Sequence, residues 1–425
     1  MKIICAPQSH AFNGTADAVD VVLYSRADRP TRGQAGAAVK DAVLKSGYHP
    51  APKAWDFLSL ALAVTAADLA GFRSKSPDGW TRVFELEVAV ADPAFWNTHS
   101  ELVNRFLGFL TTDKWKVTFL DGGFAPTPPK KAVLPPEDCV SLLSGGLDSF
   151  IGNLDLVANG KKPFAVSQIV VGDREKQSLF AALMAGGLRH FQVNHNAGVP
   201  VEESPPSQRA RSLIFLAYGV LAATTLKQYH AGKDVTLYAC ENGFISINPP
   251  LTDMRLGSLS TRTTHPAFLG LVQKVLDAAG LRVRIENPSQ LKTKGEMMSE
   301  CLDQQVLQAY ASRTTSCGRY LQHGFKHCGR CVPCLVRRAA FRAADIADTS
   351  AYVYKDLGRD DKWHARFDDV RSVAIAVADA KREGLDRWLG AALSTTLLGD
   401  VSALQDMVGR GLGELESLLK HHGVK

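Results

Sequence analysis

The sequence predicts an α/β protein built on a parallel sheet, with further segments before and after it. Three observations lead to this prediction: strands and helices alternate between residues 138 and 345, a glycine-rich turn follows the first of these strands, and four cysteines lie close together near the end of the segment. Strand–helix alternation implies a parallel sheet with helices on both faces. Ligands of such sheets bind beyond the carboxyl ends of the strands, where the glycine-rich turn is expected.

The elements of this central segment follow from its short apolar runs and its turn residues. A helix is predicted to begin at Ser149, and another spans 266–279, with proline in its first turn and Gly280 at its end. Strands are predicted at 140–143, 164–171, 235–239 and 281–285.

The flanking segments differ from the central one. Residues 1–125 are predicted to form an α+β accessory domain, with strands at 2–6, 21–25, 83–90 and 115–120 and helices at 54–71 and 101–110. A proline-rich linker is predicted over 126–137, because five prolines stand between Asp121 and Asp138. The parallel-sheet domain then covers 138–345, and 346–425 is predicted to be a helical C-terminal region, most clearly over 404–419. No catalytic group of residues stands out in the first segment.

Composition excludes several classes of protein. The chain has 425 residues, of which 45% are hydrophobic and 22% charged, so it is neither disordered nor a small disulfide scaffold. The net charge of +6 is mild for a chain of this size, so direct nucleic-acid binding is not expected. The longest apolar stretches, 57–72 and 213–226, are shorter than the roughly 18 residues of a membrane-spanning helix. With no apolar signal core, a cytoplasmic location is expected.

The strongest motif is a six-residue string directly after the strand at 140–143. Glycines there let the backbone approach a polyphosphate, and the N–H groups of the turn and the following helix point at the anion. The serine hydroxyls add donors, and Asp148 is suited to hold Mg²⁺. The alternative is a glycine-rich turn that binds nothing. The predicted phosphate-binding residues are Ser144, Gly145, Gly146, Leu147, Asp148 and Ser149.

This string resembles the signature of the PP-loop ATP pyrophosphatases, the adenine nucleotide alpha hydrolase-like fold. It differs from the P-loop pattern, which requires Gly-Lys-Ser/Thr. The resemblance implies an enzyme that adenylates its substrate with ATP and releases pyrophosphate. Catalytic roles are therefore expected for Asp148, Ser149 and a lysine further along the chain.

The cysteines Cys317, Cys328, Cys331 and Cys334 form the pattern C-x₁₀-C-x₂-C-x₂-C. Two-residue spacings aim several thiolates at one ion, and a cysteine from a preceding loop completes a tetrahedron. Structural Zn²⁺ is the preferred interpretation. A [4Fe–4S] cluster is the main alternative, and four cysteines without metal are a third.

Together, the phosphate loop and the cysteine pattern resemble the QueC family, the 7-cyano-7-deazaguanine (preQ0) synthases. The resemblance covers about 138–344, half of the chain, and includes Lys294 in Lys-Thr-Lys-Gly-Glu-Met. It implies that Lys294 meets the ATP phosphates and that the four cysteines hold zinc. The expected cofactors are therefore ATP, Mg²⁺ and Zn²⁺, and the expected substrate is a 7-deazaguanine carboxylate.

The sequence departs from the family in the region that should bind this substrate. Val171-Gly172-Asp173 stands where Tyr-Gly-Gln is usual, and the Tyr-Pro-Asp-Cys-Arg string is absent. In its place are 241–248 and a stretch over 255–266 that is rich in hydroxyl groups and arginine. Such residues suit an anionic ligand, although a polar loop without a ligand is nearly as good an interpretation. The candidate substrate-binding residues are Arg211, Arg255, Arg262, Thr264 and His265.

The extra segments resemble a longer branch of QueC-like proteins, the QatC type of anti-phage defence systems. This resemblance implies that the activated carboxylate is joined to an amine of a partner protein from the same operon. A secondary amide of that kind cannot be dehydrated to a nitrile, so the reaction would stop at the amide. The alternatives are a preQ0 synthase of queuosine biosynthesis, a tRNA-thiolating PP-loop enzyme and a non-catalytic scaffold of a defence complex.

Overall fold

The computed structural model describes residues 1–12, 14, 17–201, 209–252, 262–358, 369–393, 395 and 397–424. Its frame consists of two five-stranded sheets in which all the strand pairs are parallel. The chain is therefore mixed α/β, and the predicted parallel sheet is confirmed. No helix in the described ranges combines the length and the apolar character needed to cross a bilayer.

The amino-terminal sheet has the strand order β3-β2-β1-β4-β5. Its strands are β1 (Lys2–Pro7), β2 (Ala18–Leu23), β3 (Gly33–Ala35), β4 (Val83–Ala89) and β5 (Lys114–Leu120). Helices α1 (Ala37–Lys45) and α2 (Pro52–Ala70) connect β3 to β4, and α3 (Pro93–Thr98) and α4 (Ser100–Thr111) connect β4 to β5.

The α+β prediction for this segment is wrong, because its sheet is parallel throughout. The sequence pattern led to the wrong prediction because buried and exposed residues alternate along β5 and most of β4, with Glu85 and Lys116 on the solvent side. Parallel sheets are usually covered on both faces and then read as continuous apolar runs. Here α2 and α4 cover one face, and part of the other face stays in solvent.

The second sheet has the order β8-β7-β6-β9-β10. Its strands are β6 (Cys139–Leu142), β7 (Pro163–Gln168), β8 (His190–Val193), β9 (Val235–Tyr238) and β10 (Val283–Glu286), of which only β8 was not predicted. The chain runs outward from β6 to β8 on one side and continues on the other side with β9. The carboxyl ends of β6 and β9 therefore flank the crevice where parallel sheets bind ligands.

The helices of the second half surround this sheet and fill the C-terminal region. In chain order, those in the described ranges are α5 (Leu147–Ala158), α6 (Arg174–Leu183), α7 (Arg211–Ala223), α8 (Lys227–His230), α9 (Gly243–Ile247), α10 (Pro266–Ala278), α11 (Lys294–Ser299), α12 (Gln304–Tyr310), α13 (Val332–Ala343), α14 (Asp369–Glu383), α15 (Leu385–Leu393) and α16 (Val401–His421). In the C-terminal region the described residues 346–358 form no helix, whereas α14, α15 and α16 follow from Asp369 onward, and α16 packs against α13. The domain boundaries stay predictions.

The two sheets share one apolar core. Helix α2, which is buried along almost its whole length, packs against the equally apolar α7. Polar contacts reinforce the junction: the Ala210 N–H donates to Asp68 Oδ2 at 2.9 Å, and the Ala51 N–H donates to Thr224 Oγ1 at 3.2 Å. The amino-terminal segment is therefore packed into the body of the molecule.

Candidate active site

The glycine-rich string forms the turn between β6 and α5. Gly145 has a φ of +88°, a conformation that favours glycine, and Gly146 is the last residue before the helix. The Ser144 and Ser149 hydroxyls lie 2.9 Å apart, and the Ser149 hydroxyl also accepts a hydrogen bond from the Ser144 N–H at 3.1 Å. The Thr315 N–H donates to the Gly145 carbonyl at 3.0 Å. The turn is therefore braced from inside and from the segment that leads to the cysteines.

Asp148 lies at the start of α5 and is the centre of a buried polar group. Its Oδ1 lies 2.6 Å from Lys294 Nζ, and its Oδ2 accepts from Asn242 Nδ2 at 2.8 Å. Burial by itself would raise the pKa of Asp148, but the Lys294 ammonium and the hydrogen bonds from its neighbours outweigh burial and lower the pKa to about 2. Asp148 is therefore an anion with Lys294 as its counterion.

A second carboxyl group stands beside the first. The same Asn242 amide donates to Glu241 Oε1 at 3.2 Å. Burial, and then the negative charge of Asp148, raise the pKa of Glu241 well above its ordinary value. Two carboxyl groups this close favour sharing a proton or a cation, and oxygen ligands of this kind suit Mg²⁺. Asp148 and Glu241 are thus the residues that would hold Mg²⁺ beside bound phosphates.

Lys294 is the first residue of α11, and the C-terminal helix α16 holds this helix in place. Thr293 caps α11 in a capping box with Glu296, and the Thr293 hydroxyl donates to the Glu414 carboxylate on α16. Arg410, one turn earlier on α16, donates to Glu296 Oε1 at 2.5 Å and to the Leu291 carbonyl at 2.9 Å. The C-terminal region therefore orients the helix that presents Lys294.

Two cavities adjoin the phosphate loop, each of about 240 Å³. The first, named here the phosphate cavity, is lined by the loop together with Lys294, Thr315 and Ser316. The second, named the ring cavity, is lined by apolar side chains and hydroxyl groups: Leu142, Ser212, Phe215, Leu216, Ile245, Thr263 and Thr264. Ser144, Ser149 and Glu241 line both cavities. Groups bound in the two cavities would therefore meet at the loop.

The candidate substrate residues have different positions. Thr264 lines the ring cavity, and its hydroxyl lies 3.0 Å from Ser246 Oγ. Arg262 and His265 are instead packed on Phe109 of α4. His265 caps α10 by accepting from the Ala267 N–H, and burial, with the nearby Arg262 charge, lowers its pKa to about 4.

Two further candidates cannot be placed in the site. Arg211 begins α7, but its side chain is outside the described part of the structure. Arg255 lies outside the described residues altogether. Their assignment to the substrate stays a prediction from the sequence.

Sequence reasoning missed the role of Asn242 and undervalued Glu241. Asn242 is fully buried and bridges the two carboxyl groups. A signal was available: both residues follow the predicted strand at 235–239, and the ends of strands next to a switch in strand order are where ligands bind. Asn242 also caps α9 by accepting from the Ile245 N–H, a common position for asparagine.

The four cysteines converge as predicted, and all four are buried. Their sulfur atoms lie within 4.8 Å of one another, with Cys317 and Cys331 3.9 Å apart and Cys328 and Cys334 3.8 Å apart. A tetrahedron with Zn–S bonds of about 2.3 Å has sulfurs about 3.8 Å apart, so a single zinc ion fits this set. A cluster of iron and sulfide ions needs more room between its ligands.

Backbone contacts also suit a metal-bound thiolate set. The Cys328 N–H points at Cys317 Sγ, and the Cys331 N–H points at Cys328 Sγ, both at 3.3 Å. Such donors stabilise negative charge on sulfur.

The cysteine element is joined to the phosphate loop through Thr315. The Thr315 hydroxyl donates to Asp173 Oδ1 at 2.7 Å and accepts from Lys176 Nζ at 2.5 Å, and Lys176 also donates to the Tyr320 hydroxyl. Thr315 lies two residues before Cys317, the first of the four cysteines, and its N–H donates to the Gly145 carbonyl. These contacts therefore link the cysteine element to the phosphate loop. A metal in the cluster would therefore stabilise one wall of the phosphate cavity.

Two comparisons relate this chain to known proteins. Residues 263–345 match the sequence model of the family described as queuosine biosynthesis protein QueC, and this range contains Lys294 and the four cysteines. The chain is 26% identical over 243 residues to the 7-cyano-7-deazaguanine synthase of Hahella chejuensis (strain KCTC 2396). That alignment covers 52% of this chain and 94% of the relative. The chain is QueC-like and distantly related to a 7-cyano-7-deazaguanine synthase, as the sequence predicted.

Proposed function

We propose that the protein is an ATP-dependent ligase that adenylates the carboxylate of 7-carboxy-7-deazaguanine and then forms an amide with an amine. The observation that carries the proposal is the buried group in which Asp148 of the phosphate loop contacts Lys294 and Asn242. QueC family members are ATP-dependent enzymes, which supports the use of ATP here.

The two cavities suit the two halves of an adenylation. The phosphate cavity offers N–H groups, hydroxyls and the Lys294 ammonium to the β- and γ-phosphates of ATP. The ring cavity offers Phe215 and Leu142 to a flat heterocycle and hydroxyl groups to its polar edge. Because Ser144, Ser149 and Glu241 line both cavities, the carboxylate of the bound ring would face the α-phosphate.

The reaction then follows in two steps. A carboxylate oxygen attacks the α-phosphorus, the bond to the β-phosphate oxygen breaks, and pyrophosphate leaves. The amine nitrogen next attacks the acyl carbon, AMP departs with the bridging oxygen, and the nitrogen loses a proton. Lys294 offsets the charge that develops on pyrophosphate, and the rigid loop holds the reacting atoms in line.

Two acceptors remain as candidates. A partner-protein amine, as in the longer QatC-type branch of anti-phage defence, is our first choice, because both flanking segments of this chain pack onto the catalytic unit. The second is ammonia with later dehydration to the nitrile, which the relationship to a 7-cyano-7-deazaguanine synthase favours. A primary amide can lose water to become a nitrile, whereas a secondary amide lacks the second N–H.

The function is tested by ATP–pyrophosphate exchange with 7-carboxy-7-deazaguanine. We expect labelled pyrophosphate to enter ATP only when the acid and Mg²⁺ are both present. Absence of exchange at any metal concentration would contradict the proposal and favour a scaffold. Mass spectrometry then assigns the acceptor: free nitrile with ammonia indicates a preQ0 synthase, and an adduct of deazaguanine mass on a co-expressed operon protein indicates the protein ligase.

The C-terminal helix should affect this activity although it lies outside the family match. We expect Glu414→Ala to lower the exchange rate about tenfold, because Thr293 loses its partner and α11 no longer presents Lys294 in one position. Glu416→Ala is the matched control: Glu416 lies on the same helix and pairs only at the surface with Lys381 and Lys420. Equal rates in the two variants would show that α16 does not position the lysine.

A further inference from the structure

The two sheets of the chain have the same topology. Numbered by their order along the chain, the strands of each sheet follow the order 3-2-1-4-5, and all neighbours are parallel. In both halves, helices lie between the third and fourth strands and again between the fourth and fifth strands. The amino-terminal half is thus built on the same plan as the catalytic half, although its described residues form no helix after either of the first two strands.

Equivalent elements of the two halves contact each other. Helix α2 is the longer of the two helices between the third and fourth strands of its sheet, and it packs against α7, which is the longer of the two at the same place in the other half. Helix α4 precedes the fifth strand of its sheet and packs against α10, which precedes the fifth strand of the other, with Phe106 against Phe268. Contacts between equivalent elements are typical of an isologous interface, in which two copies use the same surface.

The edge strand of the first sheet also contacts the second half. Gln34 in β3, the third strand of the first sheet, exchanges backbone hydrogen bonds with Gly198 at 2.8 and 2.9 Å. Gly198 lies in the segment that follows β8, the third strand of the second sheet. Two pairs of equivalent helices therefore join the halves, and the edge strand β3 adds a contact to the segment after β8.

The crevice of the amino-terminal sheet is closed by the chain itself. The Gly123 N–H donates to the Val90 carbonyl at 3.1 Å, and a Cβ on Gly123 would lie 2.2 Å from the Val90 Cα. The next residue, Phe124, places its ring 4.5 Å from that of Tyr24, after β2, and 5.0 Å from that of Trp55. The carboxyl ends of these strands, which correspond to the proposed phosphate-binding edge of the catalytic half, are thus covered by the residues that follow β5.

One side chain of this half reaches the neighbourhood of the ring cavity. Phe109, on α4, stacks under the Arg262 guanidinium at 4.7 Å and against the His265 ring at 5.1 Å, and its carbonyl accepts from Arg262 Nη1 at 3.1 Å. The two residues between them, Thr263 and Thr264, line the ring cavity. Phe109 therefore holds both ends of a four-residue turn whose middle forms a cavity wall.

We propose that the amino-terminal half is a catalytically silent second copy of the parallel α/β unit, and that Phe109 is a positioning residue that fixes the Arg262–His265 wall of the ring cavity. The consequence for binding rests on the proposed function, because the ring cavity is assigned to the deazaguanine acid. The structural part of the inference does not depend on that assignment.

The test is Phe109→Ala in the full chain, with two readouts. Loss of the ring should expose the His265 imidazole and raise its pKa from about 4 towards the ordinary value of about 6.5, measured by NMR titration. In the exchange assay, the apparent KM for the acid should rise about tenfold while the KM for MgATP stays unchanged. The first readout needs no activity, so failure of the proposed function would leave it intact.

Phe95→Ala is a closely matched control. Phe95 lies in the same half on α3, and its ring also contacts a cation and a histidine. Lys53 Nζ lies 3.8 Å and the His99 ring 4.4 Å from the centre of the Phe95 ring. This variant should change neither readout. If Phe109→Ala does not fold, Phe109→Leu keeps most of the apolar volume and should show the same shifts to a smaller extent.

Two results would overturn the inference. An unchanged pKa of His265 and an unchanged KM for the acid in a folded Phe109 variant would show that the contact positions nothing. Calorimetric titration with a non-hydrolysable ATP analogue should give one site per chain. A second site that survives Lys294→Ala would show that the amino-terminal half is not silent.

Discussion

Replacing Asp148 with asparagine is expected to lower the rate of acid-dependent ATP–pyrophosphate exchange about 100- to 1000-fold. Asparagine keeps the size and one oxygen but removes the anion that pairs with Lys294 at 2.6 Å. Without that charge, Lys294 loses its buried counterion, and the site loses a carboxylate that would hold Mg²⁺ beside bound phosphates. The measurement is the initial exchange rate over a range of Mg²⁺ concentrations, and more Mg²⁺ should not restore it.

Asp155→Asn is the matched control for this experiment. Asp155 lies on the same helix, where Oδ1 accepts from the Leu302 N–H at 2.9 Å, and it lines neither cavity. We expect this variant to exchange at close to the original rate. A folded Asp148→Asn protein that matched the control would show that this carboxylate does not serve the reaction.

Cys334→Ser is expected to remove the metal and, with it, both stability and exchange activity. Purified wild-type protein should contain about one zinc per chain, and the variant close to none, because structural zinc requires its full set of four ligands. The thermal unfolding midpoint should fall, since metal binding contributes directly to folding free energy. Exchange should also fall, because Thr315, two residues before Cys317, braces Gly145 of the loop.

Metal analysis and thermal unfolding check this prediction, with Cys301→Ser as control. Cys301 is also a buried free cysteine, but it lies outside the cluster. Its variant should keep the zinc. Iron in stoichiometric amount, with absorbance in the iron–sulfur region, would contradict the zinc assignment, and so would a Cys334→Ser protein that retains the metal.

The sequence was most informative where chemistry depends on neighbouring residues. The string from Ser144 to Ser149 and the spacing of the four cysteines are local patterns, and the structure places both as the spacing indicated. The parallel pairing of the strands around β6 followed from strand–helix alternation. Lys294 could be placed through its resemblance to a family motif.

Contacts between distant segments could not be read in the same way. Glu414 acts on Thr293 from 121 residues away, and Arg262 meets Phe109 across 153 residues. Neither glutamate nor phenylalanine has a local pattern that distinguishes such a role from an ordinary surface or core position. The parallel amino-terminal sheet was missed for a different reason, because its half-exposed strands carry the alternation typical of antiparallel sheets.

The ion pair between Asp148 and Lys294 has a consequence for how ligands bind together. If the Lys294 ammonium moves to pair with a phosphate, the buried Asp148 carboxylate is left without a counterion. A nucleotide that binds without a metal would also place its negative charge next to this carboxylate. A divalent cation that takes over Asp148 removes this cost. Nucleotide and metal should therefore bind with positive cooperativity, and by thermodynamic reciprocity each should raise the affinity for the other by the same factor.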